Sequence, residues 1–232
     1  MPGQPLSRIR PNAKFKAGAD VFQKHPNLMA LAMQTVAAGA GIDYVLSFAL
    51  TQLLHADPKT GMAIYTALTG GEGKRAALLA AAKARLQPAD NLLLEVTLQH
   101  VTSAREIRNE FAHHLWGYSE DVPNAALLID PKCMIDFDVG AKLVNQEIGR
   151  TKTVALPPSY DKSRVMVFRE GDLKRSLEMV AKASLKLTYV ALGLQSSNGA
   201  DLGRIARQQL LSEPAIQRVF EKRMSAERIQ PL

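Results

Sequence analysis

Three side chains near the middle of this 232-residue chain could do chemistry together: Arg108, Asn109 and His113. Histidine titrates near neutrality, so it can take or give a proton in a reaction run at physiological pH. Arginine stays charged and can grip an anionic group bidentately while negative charge builds up on it. An amide beside them can orient either partner. On an α-helix, His113 lies about 40° from Asn109, one turn on, so the two would project in the same direction.

The residues that must position them have a helical pattern. With Ile107 set at zero, Leu93, Val96, Ala104, Phe111 and Leu115 fall within about 100° of one another, which predicts a core stripe. A second stripe lies roughly opposite. It starts apolar at Leu94, Leu98 and Val101 and ends at Arg105, Arg108, Asn109, Ala112, His113 and Trp116. A face of this kind suits a subunit interface lined by a polar cleft. His114 falls within about 20° of Ile107, on the core stripe, where a packed or helix-capping histidine is the plainer reading. Glu110 falls off the cleft stripe and reads as solvated.

The surrounding elements follow from the same rules. Residues 1–26 are polar, basic and broken by Pro2, Pro5, Pro11 and Pro26, which predicts a flexible basic arm. Asn27 is the expected cap of a long helix to about His55, ended by Asp57-Pro58. Shorter helices follow from Thr60 to Gly70-Gly71 and from Arg75 to Leu86. Pro88 opens a third long helix, expected to reach Trp116 and close at Gly117. Ala126–Asp130 and Met134–Val139, joined by Pro131-Lys132, read as a β-hairpin. Residues 149–163 read as a loop and Arg164–Phe168 as a short strand. A long helix from Asp172 to about Leu194, a linker at Ser196–Gly199 and two short helices split at Ser212-Glu213-Pro214 complete the chain.

Composition bounds the class. The hydrophobic fraction is 47%, the charged fraction 22% and aromatics only 6%, a mix that favours helix packing in an ordinary globular core. The lone cysteine, Cys133, cannot form an internal disulfide, and no Cys/His cluster has metal-ligand spacing. The expectation is a reducing, cytoplasmic setting, with no cofactor and no metal. The stretch Leu28–Leu54 is apolar, but Gln34, Thr35, Asp43, Ser47, Thr51 and Gln52 interrupt it, so a buried helix is expected rather than a membrane span. Gly70-Gly71-Glu72-Gly73-Lys74-Arg75 is not a nucleotide-phosphate loop. It lacks the first glycine, Arg75 stands where Ser or Thr would hold magnesium, and no strand precedes it. The net charge of +7 suits a polyanionic partner, although charge alone does not single one out.

The segment Arg108-Asn109-Glu110-Phe111-Ala112-His113 resembles the signature of the HEPN superfamily: an arginine, usually followed by a polar residue, then a histidine after four to six positions. Glu106-Ile107 and Leu115-Trp116-Gly117 also resemble bacterial members, and the two long helices ahead of the motif agree. The resemblance implies a mainly α fold: an antiparallel helical bundle over about residues 27–195, with a small β-hairpin insertion at about 125–168. The Asp172–Leu194 helix would close the bundle, and residues 196–232 would form a basic helical tail.

The resemblance also implies a homodimer in which two motif helices build one composite cleft. In such a cleft Arg108, Asn109 and His113 would be the catalytic residues of a metal-independent endoribonuclease. Arg105, His114 and Trp116 are the expected further RNA contacts, and a neutralising protein partner is a further implied companion. The same superfamily includes mannitol-repressor-like members in which a similar helix serves a regulatory or structural role, so a catalytically inactive dimerising regulator stays open. Arg204, Arg207, Arg218, Lys222, Arg223 and Arg228 of the tail would extend an RNA surface, dock on the partner subunit, or simply be solvated.

Overall fold

The computed structural model describes residues 3–151, 159–196 and 203–227. The fold is mainly α. The elements are β1 (Gln4–Pro5), α1 (Leu6–Ile9), β2 (Lys16–Ala17), α2 (Asp20–Lys24), α3 (Pro26–Leu54), α4 (Pro58–Ala67), α5 (Gly70–Arg85) and α6 (Pro88–His113). They continue with β3 (Leu115–Tyr118), β4 (Ala126–Ile129), α7 (Pro131–Thr151), β5 (Val165–Phe168), α8 (Glu170–Ser196), α9 (Arg204–Leu211) and α10 (Pro214–Glu227). The chain divides into two compact units, Met1–Val36 with Ile107–Leu177, and Ala37–Glu106 with Glu178–Leu232.

The first unit holds a five-stranded antiparallel sheet in the order β1-β5-β4-β3-β2. β4 is central and buried at every position, which explains its unbroken apolar run. Leu127, Ile129, Val165 and Val167 share a core with Leu6, Ala13 and Cys133.

The segment expected to be a flexible arm is part of this sheet. Its β1 and β2 form the two edges, and Leu6 and Val21 are fully buried. The Lys14 amide donates to Asp121 Oδ2 at 2.8 Å, and Ser119 Oγ donates to the Lys14 carbonyl. Composition hid this because the partners of these short strands lie a hundred residues or more away. Gly117 marks the closest approach: a Cβ there would overlap the Lys16 carbonyl oxygen.

The hairpin is also corrected. Ala126–Ile129 is a strand as expected, but its neighbours are β3 and β5, and Met134–Val139 lies within α7. Asp130 ends the strand and starts the helix, its Oδ1 accepting the Lys132 amide at 2.9 Å, with Pro131 at the first helical position. Cys133, Met134 and Phe137 turn inward at helical spacing while Ile135 is exposed. The strand at Val165–Phe168 and the helices α8, α9 and α10 follow the expected plan. Helix α7 occupies the start of the expected 149–163 loop, residues 152–158 lie outside the described residues, and most of the 196–199 linker does too.

The second unit is helical. Its core gathers Ile42, Leu46, Leu50 and Leu53 of α3, Leu78 and Ala82 of α5, much of α6, Val180, Leu187 and Val190 of α8, and Leu210, Ile216 and Phe220 of the tail. α3 is long and apolar enough, by length and composition alone, to cross a membrane. Its buried polar residues are satisfied within the helix: Thr35, Ser47 and Thr51 donate to the carbonyls of Leu31, Tyr44 and Ser47, as buried hydroxyls must.

The tail docks on α6 through charge as well as apolar contact. Arg207 pairs with the fully buried Asp90, and Arg223 Nη1 lies 2.9 Å from Glu95 Oε1. Two of the tail's basic residues are thus spent within the unit. Arg204, Arg218 and Lys222 remain exposed, and Arg228 lies outside the described residues.

Candidate active site at the end of helix α6

The last turns of α6 have one buried and one exposed face. Ile107 and Phe111 are 4% and 1% exposed. Phe111 packs edge-on against Trp116 and Phe168, with ring centroids 5.2 and 5.1 Å away, a favourable aromatic arrangement. Asn109, Ala112 and His113 are exposed, and Arg108 is half-buried. Arg108 Nη1 donates to Asn109 Oδ1 at 3.0 Å. Arg108 Nε is buried with no hydrogen-bond partner among the described residues. The arrangement leaves an arginine steadied by its neighbour, with unused donor capacity, and an open histidine one turn further along the helix.

The helical wheel holds up to His113 and then fails. Helix α6 ends there, and Leu115 and Trp116 belong to β3, where alternate residues face opposite ways. Leu115, expected in the core, is 42% exposed. Trp116, expected to contact RNA, is 8% exposed, and its indole N–H donates to the Phe111 carbonyl at 3.0 Å. It is a core residue with no face to offer a nucleobase. His114, at the junction, is half-buried, and its amide closes the helix on the Glu110 carbonyl at 2.8 Å.

Earlier in α6 the second stripe is not open. Leu94, Leu98 and Val101 are 1%, 4% and 1% exposed and belong to the core of the second unit. The apolar part of the expected subunit interface is therefore covered within one chain. The sequence signal for this cover was available in the tail, where Ala206/Leu210 and Ile216/Phe220 repeat at helical i, i+4 spacing.

Arg105 is engaged as well. Its Nη2 lies 3.3 Å from Asp43 Oδ1, which also accepts the Tyr65 hydroxyl at 3.0 Å. Burial, followed by the nearby Asp43 carboxylate, pushes the Tyr65 phenol well above its usual range. This half-buried triad, of which only Tyr65 is fully covered, links α3, α4 and α6 of this unit, and sequence reasoning missed it because Asp43 and Tyr65 carry no motif. Among the described residues no group of three or more His, Cys, Asp and Glu side chains is placed to hold a metal ion. No family model, no curated protein and no solved structure matches the chain.

Proposed function

We propose that the chain is a metal-independent endoribonuclease in which Arg108, Asn109 and His113 act on the RNA phosphodiester. What carries this reading is the exposed end of α6: a half-buried Arg108 steadied by Asn109, with His113 open to solvent beyond it. The HEPN-like spacing of these residues agrees with it. His113 takes the proton of the ribose 2′-hydroxyl as that oxygen attacks phosphorus. The bond from phosphorus to the 5′-oxygen breaks, and a protonated His113 from a second copy supplies the leaving oxygen's proton. Arg108 holds the non-bridging oxygens as their charge rises.

Two copies meet through the last turns of α6 and not through the Leu94–Val101 stripe, which the chain itself covers. The test is incubation of the purified protein with single-stranded RNA in EDTA. Products ending in 2′,3′-cyclic phosphate and 5′-hydroxyl are expected, together with a dimer in light scattering. A stable monomer that leaves RNA intact sinks the proposal.

A second reading, a dimerising regulator without catalysis, draws on the same Arg108–Asn109 bond, which would then serve only to stiffen an interface. It predicts a dimer without cleavage.

A further inference from the structure

A cavity of about 440 Å³ in the first unit is lined by Lys24, His25, Asn27, Asn124, Arg169 and Glu170. It sits where α2 passes into α3, facing the β3–β4 connection and the start of α8. Its volume is in the range of small-molecule sites. We propose that it binds the phosphate group of a small phosphorylated molecule.

The charges around it are uneven. Lys24 and Arg169 are cationic. Glu170, the acid in the lining, forms an exposed i,i+4 pair with Lys174, whose Nζ lies 2.6 Å from its carboxylate, and leaves the two cations of the lining in excess by one. Nearby Asp172 is occupied by Arg175 and by the Arg169 amide at 3.0 Å. The cations, by contrast, are loosely held. Lys24 is 4.0 Å from an exposed Glu120 carboxylate and 5.2 Å from the Tyr118 ring centroid, contacts worth little in water. The Arg169 guanidinium, the His25 imidazole and the side-chain amides of Asn27 and Asn124 have no hydrogen-bond partner among the described residues.

Like charges gathered around a concave surface repel one another, and a bound anion relieves that repulsion. A phosphate matches the donor set: a planar fork from Arg169, a point charge from Lys24, and neutral donors from the amides. α3 and α8 both begin at this cavity, so their peptide dipoles add potential of the same sign. Asn124 keeps its place in the lining through a left-handed backbone, φ +58°, which asparagine tolerates better than most residues. Pro26 and the largely buried Leu28 give the rest of the ligand an apolar wall.

Calorimetric titration of the full chain with inorganic phosphate, a nucleoside 5′-monophosphate and a short single-stranded RNA tests this. The monophosphate should bind more tightly than inorganic phosphate, because only the ester can use the apolar wall. Arg169→Gln should weaken both on the order of tenfold, the value of one charge-assisted contact. Lys24→Gln should weaken them less. Arg85→Gln, an exposed control, should leave affinity for both phosphates unchanged. Melting curves establish that each variant is folded. Absence of heat with both phosphates overturns the proposal. So does an equal loss in Arg85→Gln, which would mean attraction by net charge. RNA binding that Arg169→Gln weakens, with both phosphates silent, overturns the proposal and assigns these cations to nucleic acid instead.

Discussion

The indole N–H of Trp116 donates to the carbonyl oxygen of Phe111, 3.0 Å away across the turn from α6 into β3. That carbonyl belongs to the last turn of the helix, where backbone acceptors lack intrahelical donors. The bond therefore caps α6 and fixes where His113 leaves it. Trp116→Phe keeps the ring packing and loses the donor, leaving a buried carbonyl short of a partner. A loss of about 1–3 kcal/mol in denaturant unfolding is expected. Trp116→Ala should cost about 3–5 kcal/mol. A Trp116→Ala variant of native stability would return the residue to the surface.

Gly117 tests whether the N-terminal segment is built into the fold. Its missing side chain lets β2 pair against β3, with Lys16 opposite Tyr118 and Ala17 opposite Gly117. Gly117→Ala places a methyl group against the Lys16 carbonyl oxygen. The edge must shift, at a cost of about 1–3 kcal/mol. Limited proteolysis should then cut within residues 8–20 far faster than in the parent chain. If cutting there is already rapid in the parent, β2 is not held.

These two positions show where sequence reasoning succeeded and where it stopped. The long helices were legible because their apolar spacing is local, and β5 and the split at Pro214 were legible for the same reason. The motif face of α6 was legible as far as His113, since one period governs the whole helix. The period changes after His114, and nothing in Leu115-Trp116-Gly117 announces that change, so a helical wheel puts Trp116 on the wrong face. The spacing of Leu94, Leu98 and Val101 predicts a buried stripe, and what covers it is the core of the chain itself. A wheel tells which side chains avoid water, not which element shields them. The arm failed for a related reason: β1 and β2 are two residues each, too short for any pattern, and their pairing is decided by distant strands.

Tyr65 gives a pH-dependence with a definite sign. Burial and Asp43 disfavour its anion, so its folded pKa is raised. In the unfolded chain a tyrosine titrates near ~10. The folded state thus holds the proton more tightly, and the resulting stability is fully present below that pH. It is lost as pH rises from there through the folded pKa. Ultraviolet titration of the 5 tyrosines should show a late-ionising group that disappears in Tyr65→Phe, and the same variant should flatten the alkaline fall in stability. If Tyr65→Phe removes a group that ionises with the bulk, the Asp43 contact is not formed in solution.

The end of α6 separates the two functional readings. Asn109 is exposed and bonded to Arg108, so Asn109→Ala should free the guanidinium without disturbing the core, lowering turnover while the melting curve stays put. Arg108→Ala removes the phosphate clamp, and an RNA-cleavage rate lower by about 10²–10³ is expected. Arg108→Lys should recover only part of it, since an ammonium cannot span two oxygens as a fork does. His113→Ala removes a proton carrier and should cost a factor of about 10²–10⁴. His114 is half-buried at the helix end, and His114→Ala should act on stability, with rate per folded molecule nearly unchanged. Mixing Arg108→Ala and His113→Ala chains should not restore the rate, because the hybrid dimer holds a single His113 and the reaction draws one from each copy. A nuclease whose rate survives His113→Ala but not His114→Ala would move the chemistry to the neighbouring ring. A chain in which every variant dimerises and none, parent included, cuts RNA is a regulator built on the same helix.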